Sequence, residues 1–182
     1  VQRIVEERGF INTTLKEIST ESRTEEKVLY KRYDGLQDLL YRFADNRYRF
    51  WLFSAVIKAN KYGGQDEYRN NKSFFAEIID ELYQNKGLRE LLAWELIEDN
   101  PMVRSLLASC EVSYSATISA FSESVKEKNP TLGPTLAIIL GGIYYILLIK
   151  DKTTYWDIDF NSTEGKEILK NIVNEMLDSA FI

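Results

Sequence analysis

The sequence has no histidine and contains one cysteine, three prolines and nine glycines among its 182 residues. Without histidine, the chain lacks the most common general base and the most common metal ligand of proteins. The lone cysteine, Cys110, excludes an intramolecular disulfide and favours a reducing compartment, so we expect a cytoplasmic protein. Few prolines and glycines interrupt the chain, which leaves room for long helices.

Motifs for catalysis and for phosphate binding are also missing. The sequence contains no glycine-rich phosphate loop, no Gly-x-Ser-x-Gly motif and no cluster of Cys and His. We therefore predict that the protein is not an enzyme and uses no metal or cofactor. The most apolar stretch, Leu136 to Ile149, is 14 residues long. A membrane-spanning helix needs about 20 residues, so we interpret this stretch as a buried helix and expect no membrane partner.

Charge is distributed unevenly along the chain. Residues 1–62 hold 12 Lys and Arg against 9 Asp and Glu, whereas residues 63–182 hold 11 against 19. A mildly basic first third followed by an acidic body is consistent with nucleic-acid contact confined to one end of the protein. The basic excess is small and is weak evidence when taken alone.

Apolar residues recur with helical spacing almost throughout the chain. No segment shows a convincing alternation of apolar and polar residues, which is typical of a strand, so the sequence predicts an all-α fold. The first residues resemble the middle of an amphipathic helix, and we expect that residues before Val1 are missing. Gly9 predicts the end of this helix. A second helix is predicted from Thr14, which forms a capping box with Glu17, to about Ser22. A third runs from after Thr24 to about Tyr33.

The rest of the chain predicts longer helices. The segment 34–37 caps a long helix that extends to about residue 60, and further helices are predicted over about 66–85, 88–98 and 101–128. A turn at 129–134 precedes the apolar helix, which ends near Lys150. The last helix is predicted to be capped at Asn161, with Glu164 three residues later.

The two short helices at about 14–22 and 25–33, joined near Arg23, have the layout of a helix-turn-helix, whose second helix enters the major groove. The residues around them resemble the N-terminal signature of the TetR/AcrR family of transcriptional regulators over residues 1–40. The matching positions are Gly9, Phe10, Thr13, Thr14, Ile18, Leu29, Tyr30, Tyr33, Leu39 and Leu40.

The resemblance implies a helix-turn-helix DNA-binding domain over residues 1–45, followed by a helical ligand-binding and dimerisation domain over residues 46–182. It also implies a sequence-specific regulator, a repressor released by an unknown small-molecule effector, that binds a palindromic double-stranded DNA operator as a homodimer. The family pattern assigns the DNA contacts to the N-terminus of the second helix and to the third helix. These residues are Thr13, Thr14, Glu26, Lys27, Val28, Tyr30, Lys31 and Arg32.

Some positions depart from the family pattern. Arg23 stands where the family commonly has glycine. If the turn needs a positive φ at this position, a residue other than glycine is strained there. Leu36 stands where the family often has a lysine that contacts phosphate, and Ser19 and Ser22 replace small residues. These departures motivate an alternative hypothesis: a dimer of the same fold that binds a small molecule but has weak or lost DNA binding.

The body of the chain predicts a ligand pocket and a dimer interface. Aromatic residues are frequent between 74 and 121, and we expect Trp94, Tyr114, Tyr83 and Phe121 to line the pocket, although packing in a helical core explains them as well. The helix at 136–149 is apolar all round and needs cover on every side. We expect one face to pack on its own body and the other on a partner, in a two-fold seam with the last helix. The alternative is a monomer that buries this helix internally. The predicted seam residues are Leu136, Ile139, Ile143, Leu147, Ile168, Leu169, Ile172, Val173 and Met176.

Overall fold

The computed structural model describes residues 1–47, 67–99 and 130–180, together with a few positions between 101 and 108. These residues form an all-α fold, as predicted, and their only strand-like pairing is an isolated bridge between Tyr155 and Ile158. The helices are α1 (Gln2–Arg8), α2 (Leu15–Ser22), α3 (Glu26–Arg32), α4 (helical over 36–47), α5 (Glu67–Gln84), α6 (Lys86–Ile97), α7 (Leu132–Ile149) and α8 (Thr163–Ala180).

Local sequence signals set most helix ends where they were predicted. Gly9 ends α1 with φ 77°, and Thr14 caps α2. The starts of three helices, α6, α8 and α7, differ from the prediction. The Asn85 side chain accepts a hydrogen bond from the Leu88 N–H, so α6 begins at Lys86 instead of after the expected break. Helix α8 is capped by Ser162, whose Oγ accepts from the Gly165 N–H at 2.9 Å, one residue after the predicted cap.

Helix α7 begins at Leu132, so Pro134 lies in its first turn and not in the predicted connecting turn. Proline suits this position because the first N–H groups of a helix have no intrahelical partner. The positions described between 101 and 108 are helical. Cys110, the remainder of the helix predicted to end near 128, and the continuation of α4 to about 60 lie outside the described residues.

The chain divides into two compact units. The first comprises residues 1–52 and 85–114, and the second comprises 53–84 and 115–182. This division groups α6 with the N-terminal helices, while the domain boundary expected near residue 45 stays a prediction.

In the first unit, α6 packs against α1. The rings of Phe10 and Trp94 stack at 4.7 Å with an interplanar angle of 11°, and Phe43 lies 6.2 Å from Phe10. Stacked aromatic pairs add to the stabilisation that burial gives. The core of this unit therefore joins the end of α1 directly to α6.

In the second unit, α5, α7 and α8 pack against one another. Each helix buries one stripe at helical spacing, such as Leu169, Val173 and Leu177 on α8. Asp80 on α5 pairs with Lys166 at 2.5 Å and Lys170 at 2.8 Å on α8. Partial burial alone would raise the pKa of Asp80, but the hydrogen bonds from both lysines hold it below its usual value. The two ion pairs thus fix α8 against α5.

Tyr83 makes a second set of contacts that hold this unit together. Its hydroxyl donates to the Phe160 carbonyl at 2.6 Å, and the ammonium groups of Lys150 and Lys166 lie 5.3 Å and 5.1 Å from its ring centroid. Burial, helped by Asp159, raises the pKa of Tyr83 to about 12. Lys150 also donates to the Asn161 side chain at 2.7 Å. Tyr83, predicted as a pocket residue, therefore has partners on both its ring and its hydroxyl within the fold.

Gly165 sets how closely the α7–α8 connection approaches α8. A Cβ built at this position would lie 2.1 Å from the Asp159 carbonyl oxygen. No side chain fits there without a backbone shift, so glycine at 165 is required by close approach.

Helix α7 has two different faces. Leu136, Ile139, Ile143 and Leu147 are buried within the unit, whereas the opposite face is exposed and wholly apolar. Only 28% of the helix is buried, which agrees with the expectation that its own body covers one face alone. The exposed stripe consists of Pro134, Ala137, Ile138, Gly141, Gly142 and Tyr145.

This arrangement changes the residues available for a dimer seam. Of the nine predicted, six are buried inside their own unit because their helices pack on each other: Leu136, Ile139, Ile143, Leu147, Leu169 and Val173. Ile168 is half-buried, and Ile172 and Met176 are exposed. A partner would therefore meet the exposed stripe of α7 and the outer residues of α8.

Among the described residues, α7 is the one helix long and apolar enough to cross a membrane by length and composition. The same test is met by core helices of soluble proteins, and α7 buries the core face of the second unit. The helix is compatible with a soluble protein.

Glu95 is an unusual member of the α6 core, since it is only 8% exposed and its Oε1 has no hydrogen-bond partner among the residues that the structure describes. Burial raises the pKa of Glu95 to about 8. At neutral pH the folded chain therefore holds this carboxyl mostly in its neutral form.

The raised pKa predicts how stability varies with pH. In the unfolded chain Glu95 ionises near 4.5, so the folded state binds more protons between pH 4.5 and about 8. We expect Glu95 to make the free energy of unfolding fall as pH rises through this window. Glu95→Gln should remove that decline. At pH 9 its free energy of unfolding should exceed that of wild type by on the order of a few kcal/mol. Urea denaturation at several pH values measures this.

Glu7→Gln, at an exposed position on α1, is the matched control and should keep the wild-type pH profile. Parallel pH profiles for wild type and Glu95→Gln would contradict the assignment.

Candidate nucleic-acid interface

The N-terminus of α2 is built by the predicted capping box. The Thr14 hydroxyl accepts from the Glu17 N–H at 3.2 Å, and a Glu17 carboxylate oxygen accepts from the Thr14 N–H at 3.1 Å. The hydrogen bond from the Thr14 hydroxyl, together with Arg8, holds the pKa of Glu17 below its usual value. Arg8 pairs with Glu17 at 2.5 Å, and Arg3 pairs with Glu21, so both ion pairs join α1 to α2.

Thr13 was predicted to contact phosphate, but the structure buries it. Its hydroxyl donates to the Gly9 carbonyl at 2.8 Å, which closes the connection between α1 and α2. Its neighbour Thr14 is exposed. Only Thr14 of the two predicted threonines is thus placed where it can meet a ligand.

The turn between α2 and α3 is held by hydrogen bonds at its start. The Thr24 N–H donates to the Ser19 carbonyl at 3.0 Å and the Arg23 N–H donates to the Thr20 carbonyl at 3.3 Å, as in a Schellman motif. The Ser19 hydroxyl donates to the Thr24 carbonyl at 2.7 Å, and the Ser22 hydroxyl donates to the Ile18 carbonyl at 2.7 Å. Of the two serines that depart from the family pattern, Ser19 therefore joins α2 to the turn, whereas the bond of Ser22 stays within α2.

Arg23 lies in the left-handed region, at φ 53° and ψ 36°. The turn needs this conformation, which glycine adopts freely and a residue with a Cβ adopts at a cost. The predicted strain at this position is thus confirmed in the backbone.

Helix α3 buries Leu29 and half-buries Val28, and it exposes the other predicted contact residues. Lys27 pairs with Glu25 at 2.6 Å, with both side chains about three-quarters exposed. Such exposed pairs contribute little and are easily exchanged for another anion. No described residue pairs with Lys31 or Arg32. The exposed set comprises Glu26, Lys27, Tyr30, Lys31 and Arg32.

The connection from α3 to α4 is fixed by Asp38. Its carboxylate accepts from the Asp34 N–H at 3.1 Å and from Arg42 Nε at 2.9 Å. The hydrogen bond from Arg42 is the main reason that the pKa of Asp38 lies below its usual value. Arg42 also lies 5.8 Å from the Tyr33 ring centroid, so α4 holds the end of α3 in place.

One exposed cation near the candidate interface was missed in the sequence. Lys16 follows the cap of α2 by two residues and is exposed, and no described residue pairs with its ammonium group. Its place beside a predicted helix N-terminus was the available signal, because anions bind there.

Two of the four predicted ligand-binding residues are described, and each packs within its own unit. Trp94 belongs to the core of the first unit and Tyr83 to that of the second. Tyr114 and Phe121 lie outside the described residues. No pocket is assigned to these four positions.

Comparison with protein-family models, curated proteins and solved structures gives no match to this chain. The resemblance to TetR/AcrR regulators therefore rests on the residues of the first 40 positions.

The strained turn yields a direct test. Arg23→Gly should raise the free energy of unfolding by about 1 kcal/mol, because glycine meets no Cβ penalty at a positive φ. Thermal denaturation followed by circular dichroism measures the effect. Arg23→Ala, which removes the charge but keeps the Cβ, is the control and should give no such gain. Equal midpoints for the glycine and alanine variants would show that the backbone is unstrained.

Proposed function

We propose that this chain is a TetR-like transcriptional regulator of the cytoplasm that binds double-stranded DNA sequence-specifically as a homodimer. The observation that carries the proposal is the exposed face of α3, where Lys31 and Arg32 have no described partner. This helix follows a capped α2 and a hydrogen-bonded turn, and α4 supports its end. A supported helix that presents cations without a partner among the described residues suits a groove lined by phosphates.

Residue chemistry divides the exposed face into two roles. Lysine bonds guanine O6 and N7, and glutamate accepts from cytosine N4, so Lys27 and Glu26 in the first turn of α3 suit base edges. Tyr30, Lys31 and Arg32, further along, suit phosphate oxygens. Thr14 and Lys16 at the start of α2 add phosphate contacts.

The exposed stripe of α7 supports the homodimer. Gly141 and Gly142 lie at its centre, and a Cβ at either position would meet nothing within 4 Å. Ile138 and Tyr145 lie three residues to either side and are 70% and 56% exposed. A two-fold axis at the glycine pair would place Ile138 of one protomer against Tyr145 of the other. Such self-complementarity is what an isologous interface requires.

We also propose that a small-molecule effector acts through α6 to release a repressor from its operator. Support comes from the first unit, where Trp94 on α6 stacks on Phe10, just after α1. Ion pairs join α1 to α2, so a ligand that shifts α6 can reorient α2 and α3. The ligand must bind the DNA-incompetent state more tightly for this to occur.

A second candidate function is a dimer of the same fold with weak or lost DNA binding. It is favoured by the pairing of Lys27 with Glu25, by the burial of Thr13 and by Leu36 at the usual lysine position. DNA-binding measurements separate the two candidates.

The DNA interface predicts distinct effects for two lysines. Wild type should select a palindromic site from random oligonucleotides, with half-sites about 34–36 Å apart or a multiple of that. Lys31→Ala should weaken binding to all sequences and reduce the salt slope by about two for the dimer, because each protomer loses one phosphate contact. Lys27→Ala should change base preference instead. Fluorescence anisotropy at several salt concentrations measures both.

Lys152→Ala, at an exposed position in the second unit, removes the same charge and should leave binding unchanged. If folded wild type selects no sequence at low salt, the second candidate function replaces the first.

The dimer predicts opposite outcomes for two isoleucines of α7. Ile138→Asp should give a folded monomer, because Ile138 lies on the exposed stripe. Ile143→Asp should unfold or aggregate, because Ile143 is 1% exposed and a buried unpaired charge costs several kcal/mol. Light scattering and circular dichroism at micromolar concentration measure mass and fold. A wild type with the mass of one chain, or one that binds lipid vesicles instead, would refute the dimer.

A further inference from the structure

The connection between α7 and α8 contains a strained hairpin. Tyr155 and Ile158 exchange two backbone hydrogen bonds of 3.0 Å, and the two residues between them have positive φ, 53° at Trp156 and 63° at Asp157. This is the backbone of a type I′ turn, which strongly favours Asn-Gly. A tryptophan in the left-handed region is a costly choice that the turn itself does not need.

The strain does not serve packing within the protomer. Trp156 is 86% exposed, which makes it the most exposed large hydrophobic residue of the described chain. Its ring contacts that of Tyr155 at 6.4 Å, and Tyr155 contacts Tyr145 at 6.3 Å. The three rings form a row that leads from the exposed stripe of α7 to the tip of the hairpin.

We propose that this aromatic hairpin is a docking arm, through which Trp156 packs on the α7 helix of a second copy of this chain. The inference rests on the proposed homodimer and names a contact within it. Continuity is the first argument: Tyr145 belongs both to the exposed stripe and to the row of rings, so a partner seated on the stripe meets the hairpin.

Symmetry identifies what Trp156 contacts. With the two-fold axis at Gly141 and Gly142, Tyr145 of one protomer opposes Ile138 of the partner subunit. Trp156 follows Tyr145 and Tyr155 in the row of rings, so we place it beside Tyr145, against Ile138 of the partner subunit and the apolar residues next to it. An apolar ring then covers apolar residues that have no cover in one protomer.

A second copy explains these features better than a lipid surface does. Helix α7 carries no charge, but the exposed side of α8 carries Glu164, Glu167 and Glu175, which an anionic membrane repels. The stripe is self-complementary, and central aromatic residues are typical anchors of protein interfaces.

The test measures the monomer–dimer dissociation constant by sedimentation equilibrium. Trp156→Asn removes the ring and keeps a residue that tolerates a positive φ, so it should weaken the dimer about tenfold or more without lowering the thermal midpoint of the monomer. Asp157→Gly relieves the strain and keeps the ring, and it should leave the dissociation constant within about twofold of wild type. Trp156→Phe should restore part of the affinity.

A double-mutant cycle locates the contact. If Trp156 packs on Ile138 of the partner subunit, the weakening caused by Trp156→Asn and Ile138→Ala together should be smaller than the product of the single effects. In protein labelled with 5-fluorotryptophan, the 19F resonance that Trp156→Phe removes should shift on dilution through the dissociation constant.

The outcomes distinguish this inference from the proposed function. Two results together overturn the docking arm alone: the Trp156→Asn variant dimerises as tightly as wild type, and the Trp156 resonance of the wild-type protein does not shift on dilution. A wild-type dimer that shows the effect but binds no DNA overturns the regulator and leaves the arm. A wild-type monomer at all concentrations overturns the dimer and the arm together.

Discussion

Helix α7 has 18 residues and no charged side chain, and only 28% of it is buried. Its buried face forms the centre of the second unit, against α5 and α8. Its exposed face carries no charged side chain, and the hydroxyl of Tyr145 is its one polar side-chain group. Large apolar patches of this kind are uncommon on monomers and mark interaction surfaces. The exposed apolar face of α7 is the reason for proposing both the dimer and the arm beside it. The two glycines lie in the middle of that face.

The first unit depends on a different kind of contact, in which elements distant in sequence share an aromatic core. Phe10 and Trp94 bring the end of α1 and the middle of α6 into one stack. The short helices α1, α2 and α3 are each too short to be stable alone. Their orientation therefore depends on what they pack against, and α6 is the helix that packs against α1.

The sequence predicted best what depends on neighbouring residues. Thr14 and Glu17 meet within one helical turn, so their capping box could be read directly, and Gly9 marked the end of α1. The sequence predicted poorly which face of a helix would be buried. Because α7 is apolar on all sides, nothing in its pattern separates Ile143, which is buried, from Ile138, which is exposed.

Other misses have the same origin. Thr13 and Thr14 are chemically identical neighbours, and only the packing of α1 on α2 determines that Thr13 turns inward to the Gly9 carbonyl. Trp94 could have faced a pocket or a core, and its partner Phe10 lies 84 positions earlier. The hairpin at 155–158 was missed because Trp-Asp gives no turn signal of the kind that Asn-Gly gives.

The buried carboxyl of Glu95 affects the enthalpy that calorimetry measures when this protein unfolds. With a pKa of about 8 in the folded chain, it is mostly protonated at pH 7, and it ionises when the chain unfolds. Unfolding near neutral pH therefore releases a proton, which the buffer must take up. The calorimetric enthalpy of unfolding should then include the protonation enthalpy of the buffer, so phosphate and Tris would report different heats for the same conformational change.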